Sequence, residues 1–220
     1  MTEYKEDRQA IIDAALWLQG QGYFGPELAT AGNVSKRIEG EALIAVTPSG
    51  RPYQELTPDD IAIVDMENTQ VLGNFPPSVE SGLHLGVYAA RPDVQAVVHT
   101  HQPYASILGL LDEAIPPLFD DITMALGGVV EVIPYALAGT PDLAELTAKA
   151  TKSGRHAFLM KNHGAVCLGK TLDKAVKNAA LLEKLSHVYY HALASGKKVS
   201  ALPEETATLL SEAGRTKDGI

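Results

Sequence analysis

Apolar residues first recur at helical spacing over residues 3–20, where Ile11, Ile12, Ala15, Leu16 and Leu18 form one stripe. Gly22 and the Gly25-Pro26 pair end that pattern. The rhythm then shortens. Residues 41–46 alternate and read as a strand closing on the turn Thr47-Pro48-Ser49-Gly50. Residues 61–64 read as a second short strand, followed by the turn at 65–70 and Val71-Leu72. Pro77-Ser78 opens a helix expected to run to Ala90, where Arg91-Pro92-Asp93 stops it. A strand over 94–101, a helix from Pro103 through Leu111, a proline-containing loop, a strand over 129–134 and a helix over 141–152 follow. Two apolar runs, 157–160 and 165–168, flank the turn Asn162-His163-Gly164. Thr171 stands where an N-cap belongs, ahead of a last long helix to about Ala194. Beyond Lys197 the pattern predicts a short helix and a polar, frayed tail. Strands and helices interleave without a repeat or a linker, which predicts one α/β domain over residues 1–220.

Composition narrows the function classes. The chain's 220 residues suffice for a continuous core without a disulfide or a structural metal. A formal net charge of −9 argues against general nucleic-acid binding, although a local cationic pocket for one anion remains compatible with it. The single cysteine, Cys167, lies in an apolar run and reads as a buried packing residue; one cysteine excludes an intrachain disulfide and a CxxC thiolate site. Residues 1–9 are charged and lack the apolar stretch of a secretory signal, and no apolar run approaches the roughly 18 residues that span a bilayer. A soluble cytoplasmic protein with neither nucleic acid nor membrane as partner is the expectation.

Seven histidines bring in chemistry. In Val97-Val98-His99-Thr100-His101 two imidazoles stand two residues apart at the end of a strand, so both face one side. His163 lies much later, in a glycine-containing turn between apolar runs. Three imidazoles with an open fourth position suit a catalytic metal, but spacing alone leaves packing histidines equally open. His84, His156, His187 and His191 read as surface or packing residues. Glu80 falls in the first turn of the helix expected from Pro77, where a cap is the simpler reading and an acid–base group the other. The small, hydroxyl-rich turns at 31–35 and 47–50 offer N–H groups and hydroxyls to an anion, or are ordinary turns.

Six motifs in one order carry a resemblance: Thr30-Ala-Gly-Asn-Val-Ser35, Thr47-Pro-Ser-Gly50, Pro77-Ser-Val-Glu80, Arg91-Pro-Asp93, Ala96-Val-Val-His-Thr-His101 and Lys161-Asn-His-Gly164. Together they resemble the class II aldolase and adducin family, and within it the L-fuculose-phosphate aldolases, over roughly residues 7–194. The resemblance implies an α/β/α sandwich around a largely antiparallel sheet, and a four-fold tetramer with sites between subunits. It implies Zn2+ on His99, His101 and His163, with Mn2+ or Co2+ as alternatives that imidazole ligands also suit. Glu80 matches the acid–base group, which can also touch the metal, and Tyr135 a proton donor that reaches a neighbouring subunit's site. Asn33, Ser49, Gly50 and Ser78 match the positions that hold a substrate phosphate. The activity implied is reversible aldol cleavage of a sugar phosphate, a fuculose-1-phosphate-like ketose, through an enediolate.

Two positions depart from the family pattern. Val79 stands where a second serine often precedes the acid, and no tyrosine follows Tyr190, where the aldolases use one near the C-terminus. Family members that decarboxylate, epimerise or dehydrate sugar phosphates share such a metal site. The epimerase usually carries Asp at the position of Glu80, which argues against that activity. A non-catalytic module of the adducin kind has no use for three imidazoles and an acid.

Overall fold

A computed structural model describes residues 3–25 and 31–216. Pro26 of the expected helix break, Thr30 of the first motif and the last four residues of the tail lie outside them. Eight strands form one sheet: β1 (Asn33–Arg37), β2 (Leu43–Val46), β3 (Ala62–Asp65), β4 (Gln70–Leu72), β5 (Ala96–Thr100), β6 (Val132–Ile133), β7 (Ala157–Met160) and β8 (Ala165–Gly169). Their order is β4-β3-β2-β1-β5-β8-β7-β6. Every pairing is antiparallel except β6 with β7, so the sheet is largely antiparallel. Seven α-helices complete the described fold: α1 (Lys5–Gly20), α2 (Ser81–Ala90), α3 (Pro103–Leu111), α4 (Asp120–Leu126), α5 (Pro141–Thr151), α6 (Leu172–Ala194) and α7 (Glu204–Thr216).

Strand alternation divides the core in two. Ala96 and Val98 of β5 join the side chains of α1, α3, α4 and α6 on one face. Val97 joins those of α2 and α5 on the other. The result is the expected helix–sheet–helix sandwich. All five residues of β5 and all five of β8 are buried, as strands covered on both faces must be.

The caps are legible in the sequence. Thr171 accepts a hydrogen bond from Lys174 N at 3.2 Å and starts α6 as expected. Buried amides then fasten α6 to the sheet side: Asn178 Nδ2 donates to Leu168 O at 2.8 Å, and Gln102 Nε2 to Ala179 O at 2.7 Å. The Arg91-Pro-Asp93 motif has a structural use. Arg91 forks onto Asp93 at 2.8 and 2.7 Å and also donates to the carbonyls of Thr151 and Arg155, tying the end of α2 to the end of α5.

Three expectations need correction. The small-residue turn at 31–35 is instead largely strand β1, because β2 and β5 pair with it on either side. The helix expected from Pro77 begins at Ser81, since Pro77 and Ser78 bond back to the loop after β2: Pro48 bridges Pro77, and Ser78 N donates to Thr47 O at 3.0 Å. The proline-containing loop after α3 holds the short helix α4. The helix after Lys197 is α7, whose Gly214 sits so close to Met124 that a Cβ there would lie 1.8 Å from its carbonyl oxygen.

Candidate metal centre and acid–base site

The site is built where β5 and the β7–β8 turn meet the N-terminus of α2. His99 shares its face of β5 with Val97, toward α2, and His101 follows just past the strand's end. His163 arrives on the turn, which Met160 closes by donating its N–H to Gly164 O at 2.7 Å. Asn162 takes the left-handed conformation there, φ 56°, which asparagine tolerates. Gly164 lets the turn press against β5: a Cβ would stand 2.2 Å from Thr100 O and 2.9 Å from His101 Cδ2. Gly164→Ala is therefore expected to cost about 1–3 kcal/mol by overpacking and to displace His163 from His101. Thermal melting with metal analysis checks both, and a variant unchanged in both would show that the close approach is dispensable.

The three rings meet edge to face, with centroids 4.9 Å apart for His99–His101, 4.7 Å for His99–His163 and 5.2 Å for His101–His163. One nitrogen from each lies within 4.8 Å of the others. His99 Nδ1 donates to Ala165 O at 2.9 Å, which leaves a lone pair on Nε2. That Nε2 stands 3.0 Å from His101 Nε2. Burial, then the neighbouring His101 and His163, hold the His99 imidazole well below its ordinary value; burial, then His163, lower His101. Both rings are thus kept neutral, as metal ligation requires.

Glu80 completes the cluster. It is the N-cap residue of α2, yet its side chain makes no capping bond and turns to the histidines instead. Oε2 lies 3.3 Å from His99 Nε2, and Oε1 3.3 Å from His163 Nε2. Among the described residues the buried Oε1 has no hydrogen-bond donor, and neither does His163 Nδ1 have a partner. Three imidazoles beside a carboxylate with an unsatisfied oxygen make a donor set that a divalent cation fits, in charge and in ligand type.

The other sequence candidates divide. Asn33 on β1 donates from Nδ2 to Glu80 Oε2 at 2.9 Å. Ser78 accepts from Glu80 N at 3.2 Å, and Ser49 N donates to Pro76 O at 3.0 Å, so the loops at 47–50 and 76–80 run side by side. Gly50 takes φ 63° on the first of them, and the Arg51 guanidinium lies 3.9 Å over the Phe75 ring. Tyr135 stays outside the cluster: it is 58% exposed on the segment after β6. The loop it begins returns to the site, for a Cβ on Gly139 would lie 3.2 Å from Val79 O. The sequence pattern passes over one buried neighbour, His84, which reads there only as a packing residue. Its place four residues after Glu80 is the signal that finds it, since both then lie on one side of α2.

Buried neutral histidines make stability depend on pH. Burial pushes His84 down to about 3 from an ordinary 6.5, and lowers His99, His101 and His156 as well. The unfolded chain then binds more protons than the folded one from about pH 6.5 downward, so stability present above that value is lost as pH falls toward the folded values. Asp60 and Asp93, held below their ordinary 3.8, add their loss only in more acid solution, and Glu183, raised by burial, works in the opposite direction. Metal-free protein is expected to melt progressively lower between pH 6.5 and 4, by about 2–4 °C for each kcal/mol lost. A melting temperature flat across that window in calorimetry would contradict the buried, neutral assignment.

Comparison with known proteins bears on this site. Residues 9–190 match the Class II Aldolase and Adducin N-terminal domain. The 5-methylthioribulose-1-phosphate/5-deoxyribulose-1-phosphate aldolase of Rhodospirillum rubrum is 38% identical over 186 residues, 84% of this chain and 81% of that protein. The L-fuculose phosphate aldolase of Escherichia coli K12 is 35% identical over 206 residues, 94% of this chain and 93% of that protein. Among solved structures, an L-fuculose 1-phosphate aldolase superposes with a TM-score of 0.88 at 31% identity, covering 96% of this chain and 97% of its own. With the fold, the family match and nearly the whole length in agreement, the chain belongs to the class II aldolase and adducin family.

Proposed function

We propose that the protein is a zinc-dependent aldolase that reversibly cleaves a ketose 1-phosphate to dihydroxyacetone phosphate and an aldehyde. The observation that carries this reading is the cluster of three imidazoles around a buried carboxylate with one unsatisfied oxygen. The relatives that carry sugar-phosphate aldolase names support it. The Rhodospirillum rubrum relative and the superposed aldolase are named for ketose 1-phosphates, which share the dihydroxyacetone phosphate half and differ in the aldehyde.

A divalent ion on His99, His101 and His163 supplies Lewis-acid stabilisation of negative charge on substrate oxygens. The chain's own groups handle protons and position. In cleavage Glu80 takes the proton of the C4 hydroxyl, the C3–C4 bond breaks, C4 leaves as the aldehyde, and the electron pair passes into an enediolate. Glu80 then delivers a proton to C3, or removes it in the synthetic direction. Burial keeps water from competing for that proton and strengthens each charge interaction around it. Asn33, Ser49, Gly50 and Ser78 receive the phosphate, Val79 supplying no hydroxyl to it. Tyr135 serves the aldehyde oxygen of a neighbouring subunit in a tetramer, which accounts for its exposure in the single chain. The 220 residues act as one cytoplasmic domain; no described helix is long and apolar enough to cross a membrane.

The deciding experiment is hydrogen–deuterium exchange into dihydroxyacetone phosphate, followed by NMR, with and without a chelator. Stereospecific exchange that the chelator abolishes is the expected result, and needs no knowledge of the aldehyde. A zinc-loaded sample that catalyses no exchange would reject this donor and favour decarboxylation of a keto acid phosphate.

A further inference from the structure

A chain of buried hydrogen bonds leads away from Glu80 into the layer between β1 and α2. Beyond the Asn33–Glu80 bond, His84 Nε2 lies 2.5 Å from Asn33 Oδ1, and His84 Nδ1 lies 2.6 Å from Ser35 Oγ. Ser35 Oγ in turn lies 2.7 Å from the Tyr88 hydroxyl. All five side chains are buried, His84 and Ser35 completely. Two periodicities assemble them. Asn33 and Ser35 alternate onto one face of β1, while His84 and Tyr88 stand one turn apart on α2, and Glu80, its N-cap, precedes His84 by four residues.

The chain has a single direction. An ionised carboxylate only accepts, so Asn33 must turn its NH2 to Glu80 and its oxygen to His84. His84 Nε2 must then carry the proton and donate. A neutral ring with Nε2–H offers Nδ1 as an acceptor, so Ser35 donates to it, and Ser35 Oγ accepts from Tyr88. Burial keeps the imidazole neutral and the Tyr88 hydroxyl protonated, in agreement with that assignment. Reversing any one member sets two donors or two acceptors face to face inside the protein, where an unsatisfied polar group is costly.

We infer that His84 is a positioning residue: backed by Ser35 and Tyr88, it locks the Asn33 carboxamide with an N–H toward Glu80 and so fixes the carboxylate for proton transfer. This rests on Glu80 being the acid–base group. Without His84 the Asn33 amide is free to rotate and present its oxygen to Glu80 Oε2, and the repulsion swings the carboxylate from its place.

A double-mutant cycle on metal-loaded protein tests it, with kcat and KM for exchange into dihydroxyacetone phosphate as the readout. His84→Phe keeps the ring volume and removes both nitrogens. It is expected to lower kcat about 10- to 100-fold with metal content unchanged. His84→Gln, whose amide N–H can serve Asn33 Oδ1, is expected to recover most of that loss. The double variant His84→Phe/Asn33→Ala is expected to be no slower than Asn33→Ala alone, whereas mere structural damage would multiply the two losses. Multiplied losses, or His84→Phe at the wild-type rate, overturn the inference. A second measurement needs no activity and no altered protein beyond the assignment control. In histidine labelled with nitrogen-15, the resonances lost in His84→Gln belong to His84 and must show the neutral Nε2–H form; the opposite tautomer overturns the relay. That form in wild-type protein that catalyses no exchange would fault the proposed function and leave the relay standing.

Discussion

Glu80→Gln is expected to keep a full complement of metal and to lose about 10²- to 10⁴-fold in turnover. The substitution leaves the side chain's shape almost unchanged. All three imidazoles remain, and His99 keeps its tautomer through Ala165 O rather than through Glu80. What disappears is the one carboxylate of the cluster, the group proposed to take up the proton and return it. A glutamine oxygen still accepts from Asn33, so the loop and α2 have little reason to move. Metal analysis beside the exchange rate separates the two roles. Loss of metal together with activity would make Glu80 chiefly a ligand, and undiminished exchange would remove it from the chemistry.

His99→Ala is expected to act on both metal and fold. His99 is wholly buried at the centre of the sheet, paired across β5 with Asn33 on one side and Val166 on the other. Its removal leaves two of the three imidazoles, empties an imidazole's volume and deletes the buried hydrogen bond to the Ala165 carbonyl. Turnover should fall about 10³-fold or more, since Lewis-acid stabilisation is worth several kcal/mol. Stability should fall by about 1–3 kcal/mol from the lost buried hydrogen bond and the emptied volume together. Melting with and without added zinc is the informative measurement. The wild-type protein should gain stability with zinc as any ligand of the folded state confers it, and the variant should gain none. A variant that still holds one equivalent of metal and turns over would overturn the ligand assignment.

Much of this site can be read in the sequence because two of its imidazoles obey strand periodicity. His99 and His101 share a face in any regular strand, whatever the fold around them. His163 is different: nothing local says that its turn lies against β5, and only the order of motifs brings it to the pair. Strand β1 is hard to read for a physical reason. Its buried positions include Asn33 and Ser35, polar residues that the His84 relay satisfies, so the alternation of apolar and polar residues that marks a strand is broken. Pro77-Ser78 looks like a helix start because proline suits the first turn, but bonds to Thr47 and Pro48 from a loop thirty positions earlier hold it extended. Helix α4 is only 7 residues long, too short for a periodic stripe to stand out. In each case a partner distant in sequence decides a conformation that the local pattern leaves open.

The strand order also governs when during folding the centre can exist. β1 lies beside β5, and β5 beside β8, so the pairings that hold His99 join segments far apart in the chain. Such long-range closures are slow to form. On a ribosome, β1 to β4 can pair as a meander early, while β5 lacks one flank until β8 has emerged. Metal capture is then a late event, after the turn bearing His163 has closed against Thr100. An ion bound that late retards unfolding far more than it hastens folding. A metal ion in this chain would act as a lock on the finished sheet, and scarcely as a seed for it.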